Sequence, residues 1–552
     1  MNKTQKFIVT SALPYAEAVP HLGNFVGSIL PADVYFKYLK MKGEDAIFIC
    51  GSDQHGTPIE LKAIKAGITP DRLSNEVHEK IKKVMERSGC TFTYYGKTHS
   101  ESNKLTVYEI FESLRKNGYI IETEDTQAYC SVDDRFLSDR FIIGTCPYCG
   151  YSDARGDQCE NCGHLLSPQE LIEPYCAVCG NKKLEFRKTK NLALDLEALS
   201  GEIKAFVESH KHNNWTKNAI NKTLSYLEQG LKPRDITRNI KWGFPVPLKG
   251  FEDKAFYVWF DAVIGYIGIT REWSESQYLN YWKDPDTKLI QFMGKDNLEF
   301  HTMMWPGILI GAGREYVLPH TIKVFEYLNA KGVKFSKSKG VGLNMEGAVE
   351  LLPSDYWRFA LMYLLPETSD TDFSIEEFIE IVNKVMNDKI GNLVNRVLTI
   401  YGANRGIISG EEDDAASISK ARSIISEYIA EFDAINMRNA LHKVIELSEL
   451  GNEVMSSTEP WKLAKAGDAN SKREFSKIMV SLRQIVYDLG IMLWPFAPDA
   501  ASKILDYFGM DGQPEIKMLE NVPDIDTNKP PKAIFSKITE KERKNFEKYI
   551  DS

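Results

Sequence analysis

The chain has 552 residues, too many for one hydrophobic core, so about three or four domains of ~100–200 residues each are expected. At 43% hydrophobic and 26% charged it reads as an ordinary folded protein, and 68 Lys and Arg against 77 Asp and Glu leave a net charge of −9. This excludes a chain coated in basic surface but not a local nucleic-acid patch.

In chain order, "KFIVTSAL" predicts a strand, "PYAEAVPHLGN" a turn-rich loop, "FVGSILPADVYFKYLKMKG" a helix ending at Gly43, and "EDAIFICGSDQHG" a second strand with a polar loop. This is the βαβ pattern of a parallel sheet with ligand loops at its strand ends. "PHLGN" lies between strand and helix, where unpaired N–H groups and the positive end of the helix dipole suit phosphates. His21 and Asn24 add donors there, and Gly23 lets a flat ring approach the backbone. Taken alone, such a string is most often a plain turn.

From Gly118 the texture changes. Cys146 and Cys149 form "CPYCG", and nine residues further on Cys159 and Cys162 form "CENCG". Two such turns make a four-sulfur tetrahedral site for Zn²⁺ with no open position, hence structural. Cys176 and Cys179 in "CAVCG" look like half of a second knuckle without an evident partner pair, and their metal state stays open; Cys50, Cys90 and Cys130 stand alone. This usage points to a reducing compartment. The N-terminus has no apolar signal core and no apolar run reaches the ~20 residues of a membrane helix, so a cytoplasmic protein without membrane attachment is expected.

"KAFYVWFDAVIGYIG" and "KLIQFMGKDNLEFH" predict a return to buried strands, so the sheet is interrupted by an insert and resumed. "AKGVKFSKSKG" then places Lys331, Lys334, Lys337 and Lys339 among small residues. It is either a solvated loop or a mobile clamp for an anion. Beyond Asp372 the periodicity is helical almost to the end, with Phe378, Val382, Val385, Leu393 and Val397 on one apolar stripe. Lys529 to Lys548 reads as a solvated helix.

A His-x-Gly-x motif after the first strand, followed far downstream by Lys-x-Ser-Lys-Ser, resembles the paired signature of class I aminoacyl-tRNA synthetases. Within that class the chain resembles the methionyl-tRNA synthetase family from end to end, in "SALPYAEAVPHLGN", "FICGSDQHGTPIELKA", the knuckles, "FYVWFDAVIGY", "FMGKDNLEFHTMMWP" and "KFSKSKG". "AVPHLGN" and "KFSKSKG" are closer to its archaeal–eukaryotic branch. The resemblance implies an α/β fold: a Rossmann-type catalytic domain with a parallel sheet, interrupted by a zinc-knuckle connective insert and followed by a C-terminal α-helical anticodon-binding bundle. The corresponding divisions are 1–117 and 233–329 for the two catalytic halves, 118–232 for the insert, 330–377 for the KFSKS loop and stem-contact region, and 378–552 for the bundle.

It further implies ATP-dependent ligation of L-methionine to tRNA(Met), with Mg²⁺ accompanying ATP. Leu13, Tyr15, Asp53, Trp259, Ala262, Tyr266 and His301 would bind methionine, Asp53 taking its ammonium. His21, Gly23, Asn24, Gly294 and Asp296 would face ATP, with Lys334 and Lys337 on its triphosphate. His21, Asn24, Lys334 and Lys337 would be the catalytic set. Arg238 would lie near the reacting ends, and Asn392, Arg396 and Trp461 would read a CAU anticodon. Without the resemblance, the aromatic residues would be read as core.

Three departures stand out: Asn24 replaces the second His of the first signature, Phe335 the common Met of the loop, and Val263 a common Pro. No appended tRNA-binding dimerisation domain follows the bundle, so a monomer is expected. The isoleucine, valine and leucine enzymes are disfavoured because the knuckles fill the interval where their editing insert would sit. The cysteine enzyme is disfavoured because the knuckles contain only Cys, without the open zinc position that would bind a substrate thiol. A non-catalytic RNA-binding relative ranks lower because the ATP motifs are intact.

Overall fold

The computed structural model describes residues 4–551 apart from 139–140, 157–158, 160, 163, 165, 314, 331–332, 335–342 and 409–411. A five-stranded sheet lies at the centre, in the order Pro319–Phe325, Lys288–Gly294, Lys6–Ser11, Asp45–Ser52, Tyr94–Lys97. Every neighbouring pair is parallel. The three central strands, Lys288–Gly294, Lys6–Ser11 and Asp45–Ser52, are buried nearly throughout and do not alternate, as expected of a sheet covered on both faces. Three come from before the insert and two from after it, so the sheet is interrupted and resumed. The strand order reverses between Lys6–Ser11 and Lys288–Gly294, and a crevice opens at such a switch point.

The helix after the first strand begins earlier than the sequence suggests. His21 caps it, its Nδ1 accepting the Asn24 N–H at 3.1 Å. The chain then runs through Leu22–Asn24, a wide turn at Phe25–Ile29 and Leu30–Met41. It stops before Gly43, whose φ of +81° no continuing helix has.

The insert is carried on an antiparallel ribbon, Ile120–Cys130 against Leu184–Leu194. Beyond the ribbon's Cys130–Leu184 end, a small sheet of Ile142–Thr145, Ala154–Arg155 and Ile172–Cys176 holds the knuckles. Helix Leu196–His210 folds back, and Leu199, Ile203 and Phe206 join the core of the central sheet.

"KAFYVWFDAVIGYIG" corrects the strand expectation. Only Ala255–Phe256 is strand, and Val258–Trp273 is a helix. From Phe260 to Thr270 every residue is buried, so neither a polar face nor an alternation marks its period. It packs against Glu101–Lys116 so closely that a Cβ on Gly268 would overlap the Asn103 backbone.

The C-terminal part is a bundle built on Asn392–Ala403, Ala415–Asp433, Met437–Thr458 and Ala469–Leu493. Phe378, Val382, Leu393 and Val397 are buried and Val385 is half-buried, joined through a wide-turned stretch at Ile381–Gly391. The tail differs from expectation. Pro530 and Pro531 supply no N–H for a helix, and the helix forms only at Glu540–Asp551. The irregular stretch before it buries Phe535 and Ile538.

One buried ionic cluster ties these parts together. Arg358 donates to Asp33 Oδ2 at 2.6 Å, and both side chains are fully buried. Lys37 Nζ lies 2.6 Å from the same carboxylate. Arg358 also donates to the carbonyls of Ser88, Gly89, Pro495 and Phe496. Burial pushes the Asp33 carboxyl up, but Lys37 and Arg358 together outweigh it and hold it below the ordinary value. A folded value below the unfolded one means this stabilisation is present above about pH 4 and is lost as pH falls through the folded value. Asp33→Asn leaves two buried cations without their counter-ion and is expected to cost about 3–5 kcal/mol in urea unfolding; a loss below about 1 kcal/mol would contradict this role.

Candidate active site

A cavity of about 800 Å³ opens at the carboxyl ends of four sheet strands. Ala12 and Leu13 follow the first strand, Asp53 the second, Asp296 and Asn297 the Lys288–Gly294 strand, and Glu326, Tyr327 and Leu328 the Pro319–Phe325 strand. Asp125, Gln127 and Ser138 reach it from the insert, and Arg238, Asn239 and Ile240 from the return to the core.

One end is apolar with a few polar groups. Leu13, Tyr15, Trp259, Ala262, Val263, Tyr266 and His301 line it. Trp259 stacks on Phe300 with centroids 3.8 Å apart and planes at 6°. His301 Nδ1 lies 2.9 Å from the Asn297 carbonyl, which can only accept, so Nδ1 carries the hydrogen. Nε2 therefore accepts from the Tyr266 hydroxyl at 2.8 Å. Burial pulls His301 down to about 4, so the ring is neutral at pH 7.

Asp53 sits beneath this end. Its backbone is fixed by its N–H to the Pro14 carbonyl at 2.9 Å and by Ala16 N–H to its own carbonyl at 2.7 Å. Its carboxylate is less well served, receiving the His55 N–H at 3.4 Å and the Thr98 hydroxyl at 3.5 Å. Burial, reinforced by Asp261, pushes this carboxyl well above the ordinary range. A buried, under-satisfied carboxylate at the edge of a cavity is a seat for a cation.

The other end is built of backbone. His21, Gly23 and Asn24 stand at the helix start. A Cβ on Gly23 would lie 3.1 Å from the His21 ring and 3.2 Å from the Leu328 carbonyl, and one on Gly294 would lie 2.8 Å from Asp296 Oδ1. Both glycines keep a narrow slot open. Arg238 is held by Asp235 at 2.6 Å, with its guanidinium 5.1 Å from the Tyr257 ring centre.

The lysine-rich segment leaves and rejoins the chain at this wall. Strand Leu328–Ala330 pairs with Val333–Lys334, and the returning Leu343 carbonyl accepts the Leu22 N–H at 3.2 Å beside a His21–Asn344 bridge. The backbone of Lys334 is thereby placed. Lys337 and Phe335 lie outside the described residues. Asn297, Tyr327 and Gln127 also line the cavity and were not singled out from the sequence; only Asn297, next to Asp296, carried a signal.

Two clusters in the insert could each hold a metal ion. The ligand atoms of Cys146, Cys149, Cys159 and Cys162 lie within 4.8 Å of one another, and so do those of Cys130, Asp133, Cys176 and Cys179. A tetrahedron with metal–sulfur bonds of about 2.3 Å has edges of about 3.8 Å. Cys146–Cys162 is 3.8 Å, Cys149–Cys159 is 3.6 Å and Cys130–Cys179 is 3.5 Å. The second cluster corrects the reading of Cys130 as solitary and of Cys176 and Cys179 as partnerless. Its other half is a Cys-x-x-Asp turn, and Asp133 Oδ2 lies 3.0 Å from Cys176 Sγ. In the bundle, Arg396 lies 5.5 Å from the Trp461 ring centre, with Asn392 one turn before it.

Comparison with known proteins agrees along the whole chain. The family described as "tRNA synthetases class I (M)" matches residues 7–398, and that described as "Anticodon binding domain of methionyl tRNA ligase" matches residues 405–551. The chain is 42% identical over 514 residues to a methionine–tRNA ligase of Pyrobaculum calidifontis, covering 91% of this chain and 89% of that one. It is 41% identical over 550 residues to that of Pyrobaculum aerophilum, covering 98% and 95%. It shares its fold with the Mycobacterium tuberculosis methionyl-tRNA synthetase solved with methionyl-adenylate, at a TM-score of 0.80 and 22% identity, over 97% of this chain and 100% of that one.

Proposed function

The chain belongs to the class I methionine–tRNA ligase family, and from that premise we propose how its own residues activate L-methionine with ATP and pass it to tRNA. The observation that carries the reading is one continuous cavity at the switch point, which brings an apolar end with a cation seat against a backbone-lined end at a helix start.

Asp53 takes the methionine ammonium. Leu13, Tyr15, Trp259, Ala262, Tyr266 and His301 enclose the thioether, a polarizable group that packs well on rings. The neutral His301 ring and the Tyr266 hydroxyl suit it because sulfur accepts only weak hydrogen bonds. His21, Gly23, Asn24 and Gly294 receive ATP, and Asp296 is suited to its ribose hydroxyls. Lys334 and Lys337 close on the triphosphate, and Mg²⁺ accompanies it.

The methionine carboxylate then attacks the α-phosphorus in line. A P–O bond to the adenylate forms, the bond to the β,γ-phosphates breaks, and pyrophosphate leaves with its charge met by the lysines. In the second step a terminal ribose hydroxyl of tRNA attacks the adenylate carbonyl and AMP departs. No protein side chain is bonded to an intermediate; the residues contribute position and charge.

Arg238 steers the reacting ends. Asn392, Arg396 and Trp461 read the CAU anticodon, the ring by stacking and the polar groups at base edges. The tRNA therefore spans from the bundle at 378–552 to the catalytic halves at 1–117 and 233–329, past the insert at 118–232 and the loop region at 330–377. We assign Zn²⁺ to both thiol clusters, as structural staples that take no part in the reaction. The protein acts as a cytoplasmic monomer; among the described residues no helix is long and apolar enough to cross a membrane.

Amino-acid-dependent ATP–pyrophosphate exchange without tRNA tests the reading. Exchange with methionine alone among the twenty amino acids is expected, and exchange with another one would overturn the pocket. Lys337→Ala should lower exchange by about 10²-fold or more while methionine affinity stays within about twofold; equal loss of both would remove Lys337 from the phosphate end. Metal analysis should return two zinc ions per chain and one for Cys176→Ser, whereas one in the parent chain would leave the Asp133 cluster empty.

A further inference from the structure

A row of groups under the amino-acid end plays no part in the chemistry above. Asp261 is fully buried, and its Oδ2 lies 2.5 Å from His55 Nδ1. His55 Nε2 lies 2.8 Å from His99 Nδ1. His99 is about one-third exposed, and its Nε2 comes within 3.7 Å of the surface carboxylate of Asp71. The row thus runs from beneath Asp53, which lines the cavity, to solvent. It touches the cation seat as well, because the His55 backbone N–H points at Asp53 Oδ1 and the Tyr15 hydroxyl rests on the His55 carbonyl. Among the described residues, Asp261 Oδ1 has no hydrogen-bond partner.

Two imidazoles that meet nitrogen to nitrogen need one donor and one acceptor, so the facing nitrogens do not both carry a proton, and with both rings neutral the row has two tautomeric forms. In one, Asp261 holds a proton and donates it; in the other, Asp261 accepts. The choice is coupled to Asp53, since two buried carboxyls without a cation between them do not both ionise. The groups acting on Asp53 are Asp261, His55 and Thr98, with Tyr266 also in its field, and none of these is a cation. Those facing His99 are His55, Asp71, Lys97 and Lys104.

We infer that Asp261, His55 and His99 form a proton relay from beneath Asp53 to solvent, through which the pocket loses one proton as the substrate's ammonium docks on Asp53. This deepens the reading of Asp53 as the ammonium seat and rests on it. The proton on Asp261 Oδ2 passes to His55 Nδ1, the one on His55 Nε2 passes to His99 Nδ1, and the one on His99 Nε2 leaves to water. Both rings end neutral in the opposite tautomer. One cation has entered, one proton has left, and the charge under the pocket is unchanged. Consistent with this, burial lowers His55 to about 3 and His99 to about 4, keeping both rings uncharged at pH 7, and it pushes both carboxyls well above their usual range. Asp261, His55 and His99 are positioning residues that act through Asp53.

Calorimetric titration of the full chain with L-methionine, in two buffers of different ionisation heat, counts the protons released. Release approaching one proton is expected, with affinity falling about tenfold for each pH unit on the acid side of the carboxyl pair. No release from the parent chain overturns the proposal, whether or not any variant folds. Asp261→Asn should abolish most of the release and flatten the pH profile; an unchanged profile overturns it. His99→Phe keeps a ring against Trp242 and Phe244, so it should retain the equilibrium release but slow methionine association in stopped-flow tryptophan fluorescence, with recovery on adding imidazole. An unchanged rate overturns the route through His99. Asp53→Asn separates the two readings: methionine binding at parent affinity removes the seat, whereas lost binding together with a full pH slope in Asp261→Asn removes the relay alone.

Discussion

The contact on which the rest of the structure depends is the buried pair of Asp33 and Arg358. Asp33 lies on the helix that starts at the cavity and flanks the central sheet, and Arg358 on the helix entering the bundle. By also taking carbonyls from Ser88, Gly89, Pro495 and Phe496, the guanidinium stitches three distant stretches around one point. A buried charge is tolerated only when it is met on all sides, so the pieces cannot slide independently. The apolar core accordingly runs without a break from the sheet-flanking helix into the bundle. A ligase that reads one end of tRNA and acts on the other needs such a fixed frame.

Within that frame, the site works by leaving some groups unsatisfied. His301 and Tyr266 satisfy each other and present a neutral wall to the cavity. The Asp53 carboxylate has, among the described residues, only long contacts and retains a demand for positive charge. At the opposite end the slot is shaped by Gly23 and Gly294, where any side chain would crowd His21, Leu328 or Asp296. The lysine segment is anchored beside this slot through Leu328 on one side and Leu343 on the other. In the proposed function, the contrast between the Asp53 seat and this slot gives the substrate its direction.

Much of this was legible in the sequence where chemistry is local. The first strand, the loop up to His21, the Cys-x-x-Cys turns and the resumed strand "KLIQFMG" each carry their signal within a few residues. Val258–Trp273 was misread because a helix buried on all sides loses its 3.6-residue stripe. The helix start at Leu22 was hidden because its cap is a histidine rather than Ser, Thr, Asp or Asn. The second thiol cluster was hidden because Asp133 breaks the cysteine pairing and Cys130 is far along the chain from Cys176. No local pattern could join Asp261 to His55, which are 206 residues apart; only folding brings them together.

The most direct measurement is charging of a tRNA transcript bearing CAU beside the same transcript with its anticodon replaced, with labelled methionine and saturating ATP. Methionine ester on the CAU transcript, with kcat/KM at least about 10³-fold lower on the other, is the expected result, since loss of matched base contacts costs several kcal/mol. Equal charging of both transcripts would contradict a frame in which the bundle selects the tRNA that the sheet domain acylates.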